Sequence, residues 1–309
     1  MEIVNWILEI NMRVALTGIT GFVGMSLMPQ LLALGKDYEF LTLNIDVEEA
    51  NSKYPLAQYS NFRHVHTTDL EALVAFNPAV VLHLATVTTA ANNTEIIHPM
   101  LAANIEFGVL LLDALQHCDN FKLFVNTGSF AEFRFGPDHF DSAYLYTATK
   151  TAFRAFVKYY ADLGRGFRYI TAIPYSVYGG TMTVKRLFDY MAESLDAPMP
   201  VDMTAGEQVL DFIHVDDVAG FFTYVVSHTE EFIQLPENGT DFHLGTGVGT
   251  SIREVATLME SISGKHCNIN WGGRPYRERD IMKAVAPVER NQCCWRAKID
   301  IKKGIKAFV

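Results

Sequence analysis

The chain is short of basic charge, of cysteine and of long apolar runs. Its 25 lysines and arginines stand against 35 acids, for a net charge of −10. No basic stretch is available to neutralise a phosphate backbone, which argues against nucleic acid as a partner. The four cysteines, Cys118, Cys267, Cys293 and Cys294, show neither metal-ligand spacing nor a disulfide framework. No metal site is expected, and a reducing cytoplasm is the expected compartment. The adjacent Cys293 and Cys294 read as packing residues. No run reaches the roughly 18 uninterrupted apolar residues of a membrane span, so no membrane contact is expected. The leader 1–11 lacks the basic start and the length of a signal peptide. Met12 directly precedes the first strand and reads as a start, with 1–11 as an extension; an extra edge segment is the other reading.

What is present is a chain of 309 residues, 49% hydrophobic and 19% charged, enough for one large domain or two modest ones. It is organised around Val14-Ala-Leu-Thr17-Gly18-Ile-Thr-Gly21-Phe-Val-Gly24 and the apolar run Met25 to Leu34. Val14 to Thr17 reads as a buried strand and the apolar run as a helix. Gly18 lets the chain turn, Gly21 lets a pyrophosphate approach the backbone, and Gly24 lets helix and strand pack closely. The first N–H groups of the helix would meet the phosphates. A glycine triplet alone is weak; between strand and helix it predicts a dinucleotide site.

Phe40 to Leu43 is a second strand. Asn44 follows where such folds usually place an acid for the adenosine ribose, with Asp46 two residues later. No lysine or arginine appears until Lys53, so a ribose 2′-phosphate has no obvious partner. Asp46 reads equally as ribose ligand or as solvated loop acid, and NAD and NADP both stay open. Phe62 to Val65, Val80 to Ala85, Lys122 to Val125 and Phe167 to Ile173 are further strands, and Asn104 to Ala114 has helical periodicity. Strands alternating with helices predict an α/β fold, a doubly wound parallel sheet with ligands at the carboxyl ends of its strands. Beyond them, Val184 to Leu195 reads as a helix, and Asp216-Asp217 read as helix caps.

Tyr144-Leu-Tyr146-Thr-Ala-Thr-Lys150 opens a long helix. Tyr146 and Lys150, four apart, project from one face. An isolated pair of this kind is usually surface decoration. As chemistry, a phenol of pKa about 10 exchanges protons poorly near neutrality, and a neighbouring ammonium favours the phenolate. Tyr146 would then donate or accept a proton at a substrate oxygen while a hydride moves at carbon.

Together these residues resemble the extended short-chain dehydrogenase/reductase family, in its nucleotide-sugar branch. The separate pieces are Thr17 to Gly24, His83-Leu-Ala85, Asn104, the Tyr146/Lys150 pair and Val177-Tyr178-Gly179. Asp211-Phe-Ile-His-Val-Asp-Asp217, Gly245-Thr-Gly247 and Ile252 to Ala256 complete the set. The resemblance implies a Rossmann domain over 12–174, with 212–238 returning to it. A smaller sugar-nucleotide domain would comprise 175–211 and 239–309. It further implies NAD(P)(H) held by Gly18, Thr20, Gly21, Phe22, Val23, Gly24, Asn44, Asp46, Asp69, Leu70, Leu84, Ala85, Thr86, Asn104, Tyr146, Lys150, Pro174, Ser176 and Val177. Lys150 would also hold the nicotinamide ribose, and Asn104 would be structural or part of a proton relay. Ser129 or Thr127 would hydrogen-bond the substrate carbonyl, with Ser129 ranked first. Thr86, Ser129, Phe130, Tyr175, Arg186, Arg274 and Arg277 are the expected substrate contacts.

Departures narrow this. Sugar 4,6-dehydratases place an Asp-Glu pair directly after the catalytic threonine. Here Phe130 and Ala131 follow Ser129 and Glu132 stands alone, which argues against a dehydratase. Leu210 replaces the usual arginine before Asp-Phe-Ile. Trp271 to Asp280 holds Arg274, Arg277 and Arg279, suited either to a diphosphate or to ion pairing with Glu278 and Asp280. This stretch resembles sugar-nucleotide 4-ketoreductases of the CDP-abequose synthase type. The leading reading is therefore NAD(P)H-dependent reduction of the C4 keto group of a nucleoside-diphosphate 4-keto-6-deoxyhexose. The alternatives are a nucleotide-sugar 4-epimerase with tightly held NAD, and a non-catalytic dinucleotide-binding protein. Family precedent implies a homodimer through the Tyr146 helix, with Phe153, Phe156 and Tyr160 as a compatible face.

Overall fold

A computed structural model describes residues 12–164, 166–180 and 185–309. In chain order these form β1 (Met12–Thr17), α1 (Phe22–Leu32), β2 (Tyr38–Asn44), α2 (Val47–Lys53), β3 (Phe62–His66), α3 (Leu70–Phe76), β4 (Val80–His83), α4 (Thr94–Leu101), α5 (Phe107–Leu115), β5 (Leu123–Thr127), α6 (Leu145–Ala161) and β6 (Arg168–Pro174). There follow β7 (Ser176–Tyr178), α7 (Leu187–Ser194), β8 (Val201–Met203), β9 (Val209–His214), α8 (Val215–Ser227), α9 (Thr229–Ile233), β10 (Thr240–Leu244), β11 (Gly249–Ser251), α10 (Ile252–Ser263), β12 (Ile269–Trp271), β13 (Lys283–Ala284) and α11 (Ile301–Ile305). The expectations for 1–11 and Val184 lie outside the described residues.

Seven parallel strands run in the order β10-β6-β5-β4-β1-β2-β3. β4 and β5 are buried on both faces, as parallel strands packed by helices on either side must be. One core lies under α1 and α8, with Leu27, Leu31, Phe221 and Phe222 sealed from solvent. The other lies under α5 and α6, around Leu111, Phe124, Phe153 and Val157. Strand order reverses between β1 and β4, and the resulting crevice is where ligands settle in such sheets.

The sheet pairings move two expected boundaries. β10 pairs with β6 and closes the large sheet, although the sequence reading places 239–309 in the smaller unit. β9 instead pairs with β7, β11 and β13 in a second sheet. Asp211 explains that second sheet: fully buried, its carboxylate accepts from Thr246 N, Thr246 Oγ1, Gly247 N and Ala286 N.

Other expectations are corrected by local chemistry. His214, not the Asp216-Asp217 pair, caps α8 by accepting from Asp216 N, while Asp217 Oδ2 accepts from Ile299 N at 2.8 Å. Cys293 packs in the first core, whereas Cys294 is exposed. Phe153 is core, leaving Phe156 and Tyr159 as the exposed aromatics of α6. Thr94–Leu115 is one helical run, long and apolar enough by length and composition to cross a membrane. Here its inner face packs on the sheet through Leu111, Leu112 and Leu115. A π-turn at Ala102–Glu106 interrupts it and carries Asn104 inward.

Candidate active site

The glycine turn is built by close approach. Gly18 has φ +76°, and a Cβ there would lie 2.7 Å from Ala85 N. A Cβ on Gly24 would collide with Gly18 O and Ile19. α1 starts after Gly21 with no side-chain cap, so its first N–H groups are available to an anion. Thr17 Oγ1 accepts from Leu84 N and Ala85 N, at 3.1 and 3.0 Å. Its own proton therefore goes to His83 Nδ1, at 3.0 Å. Burial, aided by the Lys150 charge, pushes His83 down to about 3, so the ring is neutral and carries its hydrogen on Nε2. The tips of β1 and β4 are thus locked together as the floor of a groove. A pyrophosphate fits these residues, because the first N–H groups of α1 carry no side-chain cap and Gly21 at its start presents no side chain.

At the groove's rim, Asp46 Oδ1 accepts from Glu49 N and Asp69 Oδ1 from Ala72 N, each capping a helix with one carboxylate oxygen. Asn104 is not a groove residue. Its oxygen accepts from Val87 N and Thr86 Oγ1, and its nitrogen donates to Val87 O and Thr149 Oγ1. Thr149 Oγ1 in turn donates to Tyr146 O at 2.6 Å. Asn104 therefore holds the start of α6 against the β4 loop.

Ser129, just past β5, and Tyr146, in the first turn of α6, bring their hydroxyls to 3.3 Å. Thr127 Oγ1 is sealed and has no partner, so between the two candidates the geometry pairs Ser129 with Tyr146. Lys150 Nζ donates to Thr127 O at 2.7 Å, and burial lowers its pKa to about 8. The expected depression of the Tyr146 phenol by Lys150 is not what the site provides. Burial raises the Tyr146 pKa; the Ser129 hydrogen bond and the Arg186 charge oppose this, and Glu132 adds to it. Tyr146 stands as a neutral phenol, a proton donor.

Sequence reasoning missed the support beneath this pair. Glu132, with no exposed surface, accepts from Ser129 N at 2.8 Å and from Arg154 Nε at 2.8 Å. Arg154 also donates to Asp241 Oδ1 of β10 at 2.7 Å. One signal was available: Arg154 stands four residues after Lys150, on the same helical face.

Two clefts flank the hydroxyl pair. On the glycine-turn side, Phe22, Ser176, Val177 and Arg186 line a cavity of 180 Å³ beyond Pro174, with the Arg186 guanidinium 3.9 Å above the Phe22 ring. Arg186, expected among the substrate contacts, thus faces the groove. On the other side, Phe130, Tyr175 and Arg277 line a cleft of 680 Å³. There Phe130 stacks on Tyr175, and Tyr144, stacked on Tyr146, donates to Asp280 Oδ1 at 2.9 Å. Arg277 lies 3.8 Å from Asp280 and over the Tyr144 ring. Arg274 is exposed and lines neither cleft, and Arg279 pairs with Asp141 rather than Glu278 or Asp280.

The chain has relatives among known proteins. The chain is 25% identical over 307 residues to the CDP-abequose synthase of Salmonella muenchen, covering 98% of both chains. It is 24% identical to that of Yersinia pseudotuberculosis, covering 96% of this chain and 99% of the relative. Among solved structures it resembles UDP-glucuronic acid 4-epimerase from Bacillus cereus, with a TM-score of 0.79 at 19% identity over 96% and 97% of the two chains. UDP-glucose 4-epimerase from Thermus thermophilus gives 0.76 at 24% identity over 96% and 97%. Residues 14–242, from the first strand to the last strand of the large sheet, match the profile of one family. The chain belongs to the NAD dependent epimerase/dehydratase family.

Proposed function

We propose that the chain reduces the C4 keto group of a nucleoside-diphosphate 4-keto-6-deoxyhexose, with NAD(P)H as co-substrate. The observation that carries this reading is the Ser129–Tyr146 hydroxyl pair at 3.3 Å, with a phenol that burial keeps protonated. The dinucleotide supplies a hydride when bound. Ser129 donates to the substrate carbonyl, and Tyr146 delivers its proton to the oxygen that becomes the hydroxyl. Lys150, with its pKa at about 8, is cationic at neutral pH; by resemblance it holds the nicotinamide ribose. The aromatic cleft of Phe130 and Tyr175 suits a sugar ring, and Arg277, which also lines it, suits the diphosphate. Full-length similarity to CDP-abequose synthases supports the reductase. The fold shared with nucleotide-sugar epimerases supports the second reading, a 4-epimerase with tightly held NAD.

The same reading makes the protein a homodimer. Phe156 and Tyr159 of α6 and Ile97, Leu101 and Leu110 of the helical run beside it are large apolar side chains left exposed. The test of function is loss of nicotinamide absorbance with a panel of CDP-, dTDP-, UDP- and GDP-4-keto-6-deoxyhexoses. Oxidation of added NADH or NADPH by one sugar is expected. Silence across the panel, with nicotinamide already bound to purified protein and interconversion of ordinary UDP-sugars, would select the epimerase instead.

A further inference from the structure

The turn that carries Arg277 is tied to the start of α6 by a side chain the proposed reaction leaves unused. Tyr144, the N-cap of α6, is fixed through its backbone. Its N–H donates to Thr147 Oγ1 at 3.2 Å, and that hydroxyl donates back to Tyr144 O at 2.8 Å. Its ring stacks on Tyr146, the two planes 9° apart, and its hydroxyl donates to Asp280 Oδ1 at 2.9 Å. A carboxylate only accepts, and burial, together with the Asp280 charge, pushes the Tyr144 phenol up to about 12, so Tyr144 stays the donor. The Asp280 side chain is only 8% exposed. Its other oxygen accepts from Arg277 N at 2.8 Å and closes the turn 277–280 from within.

The Arg277 side chain is placed by the same two residues. Its guanidinium lies 3.8 Å from Asp280 and 5.9 Å from the centre of the Tyr144 ring. The first distance is that of an ion pair and too long for a hydrogen bond. The side chain is 65% exposed, so its N–H groups stay open to the cleft that it lines. The rest of the segment has anchors of its own. Tyr276 Oη accepts from Glu207 N at 3.0 Å, Arg279 Nε donates to Ser142 O at 3.1 Å, and Ile281 packs with Ala143 in one small core. Loss of the Tyr144 hydroxyl would therefore loosen the Arg277 turn and leave the segment docked. A loosened arginine has to be ordered at the moment of binding, and that ordering costs affinity.

We propose that Tyr144 is a positioning residue for the sugar nucleotide: through Asp280 it holds the Arg277 guanidinium ready for the diphosphate. This rests on the assignment of Arg277 to the diphosphate in the proposed function. Tyr144 itself lines neither cleft and acts only through the turn that its hydroxyl ties down.

The test is calorimetric binding of CDP, dTDP, UDP and GDP to the purified full chain, with NADH binding as the control. Wild type is expected to bind at least one of the four nucleotides. Tyr144→Phe keeps the ring and its stack on Tyr146 but loses the donor. It should weaken that nucleotide about tenfold and leave NADH within about twofold of wild type. Arg277→Met should weaken the nucleotide as well. Adding Tyr144→Phe to Arg277→Met should then change it by less than about twofold, because the hydroxyl acts through the arginine. Unchanged nucleotide binding by Tyr144→Phe would overturn the inference alone. So would an equal loss of NADH binding, or a full further loss on the Arg277→Met background. Failure of wild type to bind any of the four, or Arg277→Met binding as tightly as wild type, would overturn the diphosphate assignment, and the inference with it.

Discussion

Lys150 shows what a single buried charge does here. Its ammonium donates to Thr127 O, and burial brings its pKa from 10.5 to about 8. The unfolded chain holds that proton more tightly than the folded one. The resulting destabilisation is present in full below pH 8 and fades as pH rises toward 10.5. Lys150→Met should therefore melt a few degrees above wild type at pH 7, with a smaller gain at pH 9.5. It should also lose the proposed reductase turnover by about a hundredfold or more. Thermal scans at the two pH values check the first statement, and steady-state rates the second. The Tyr146/Lys150 pair was legible in the sequence because both residues lie within one helical turn of each other. The charges acting on Tyr146 were not: Glu132 and Arg186 reach it from segments 14 and 40 residues away, and no local spacing announces them.

Among the elements, the joint between β5, α6 and β10 depends on the Glu132–Arg154–Asp241 chain. Removing one partner from a buried ion pair strands the other. Arg154→Met should cost about 3–5 kcal/mol of unfolding free energy. The double variant Glu132→Gln with Arg154→Met should cost less than Arg154→Met alone, because the stranded carboxylate is gone. Urea denaturation decides both; equal costs would mean that Glu132 draws little from Arg154. Elements with long apolar runs, such as β1, β4 and α1, were legible in outline. The strands β7, β8 and β11 to β13 have three residues or fewer, too short for any periodic signature. Sequence alone puts β10 in the wrong unit because its partner β6 lies some 70 residues earlier, and pairing over that distance leaves no mark in the local sequence.

For the molecule as a whole, the buried histidines set the response to acid. Burial holds His83 at about 3 and His243 at about 4, and lowers His64 as well. The unfolded chain protonates these rings near pH 6.5 and the folded chain does not. Their contribution is complete above 6.5 and is lost as pH falls toward the folded values, at up to about 1.4 kcal/mol per pH unit for each ring. Unfolding free energy from urea titrations should fall between pH 7.5 and 5. The His243→Asn variant should show a shallower fall, and a flat profile for wild type would contradict the neutral-ring assignment.

The position of β10 in the chain has a consequence for synthesis. Six strands of the large sheet have been made once Pro174 leaves the ribosome, but the edge of β6 waits for Thr240–Leu244. The intervening residues 175–239 take about 3–13 s to translate. They include β9, whose sheet needs β11 and β13, which come later still. Trp295, which packs on Phe221 in the first core, is later again. The nascent chain therefore carries an open parallel edge and an unfilled core through that interval, and neither sheet can be completed before the other has begun.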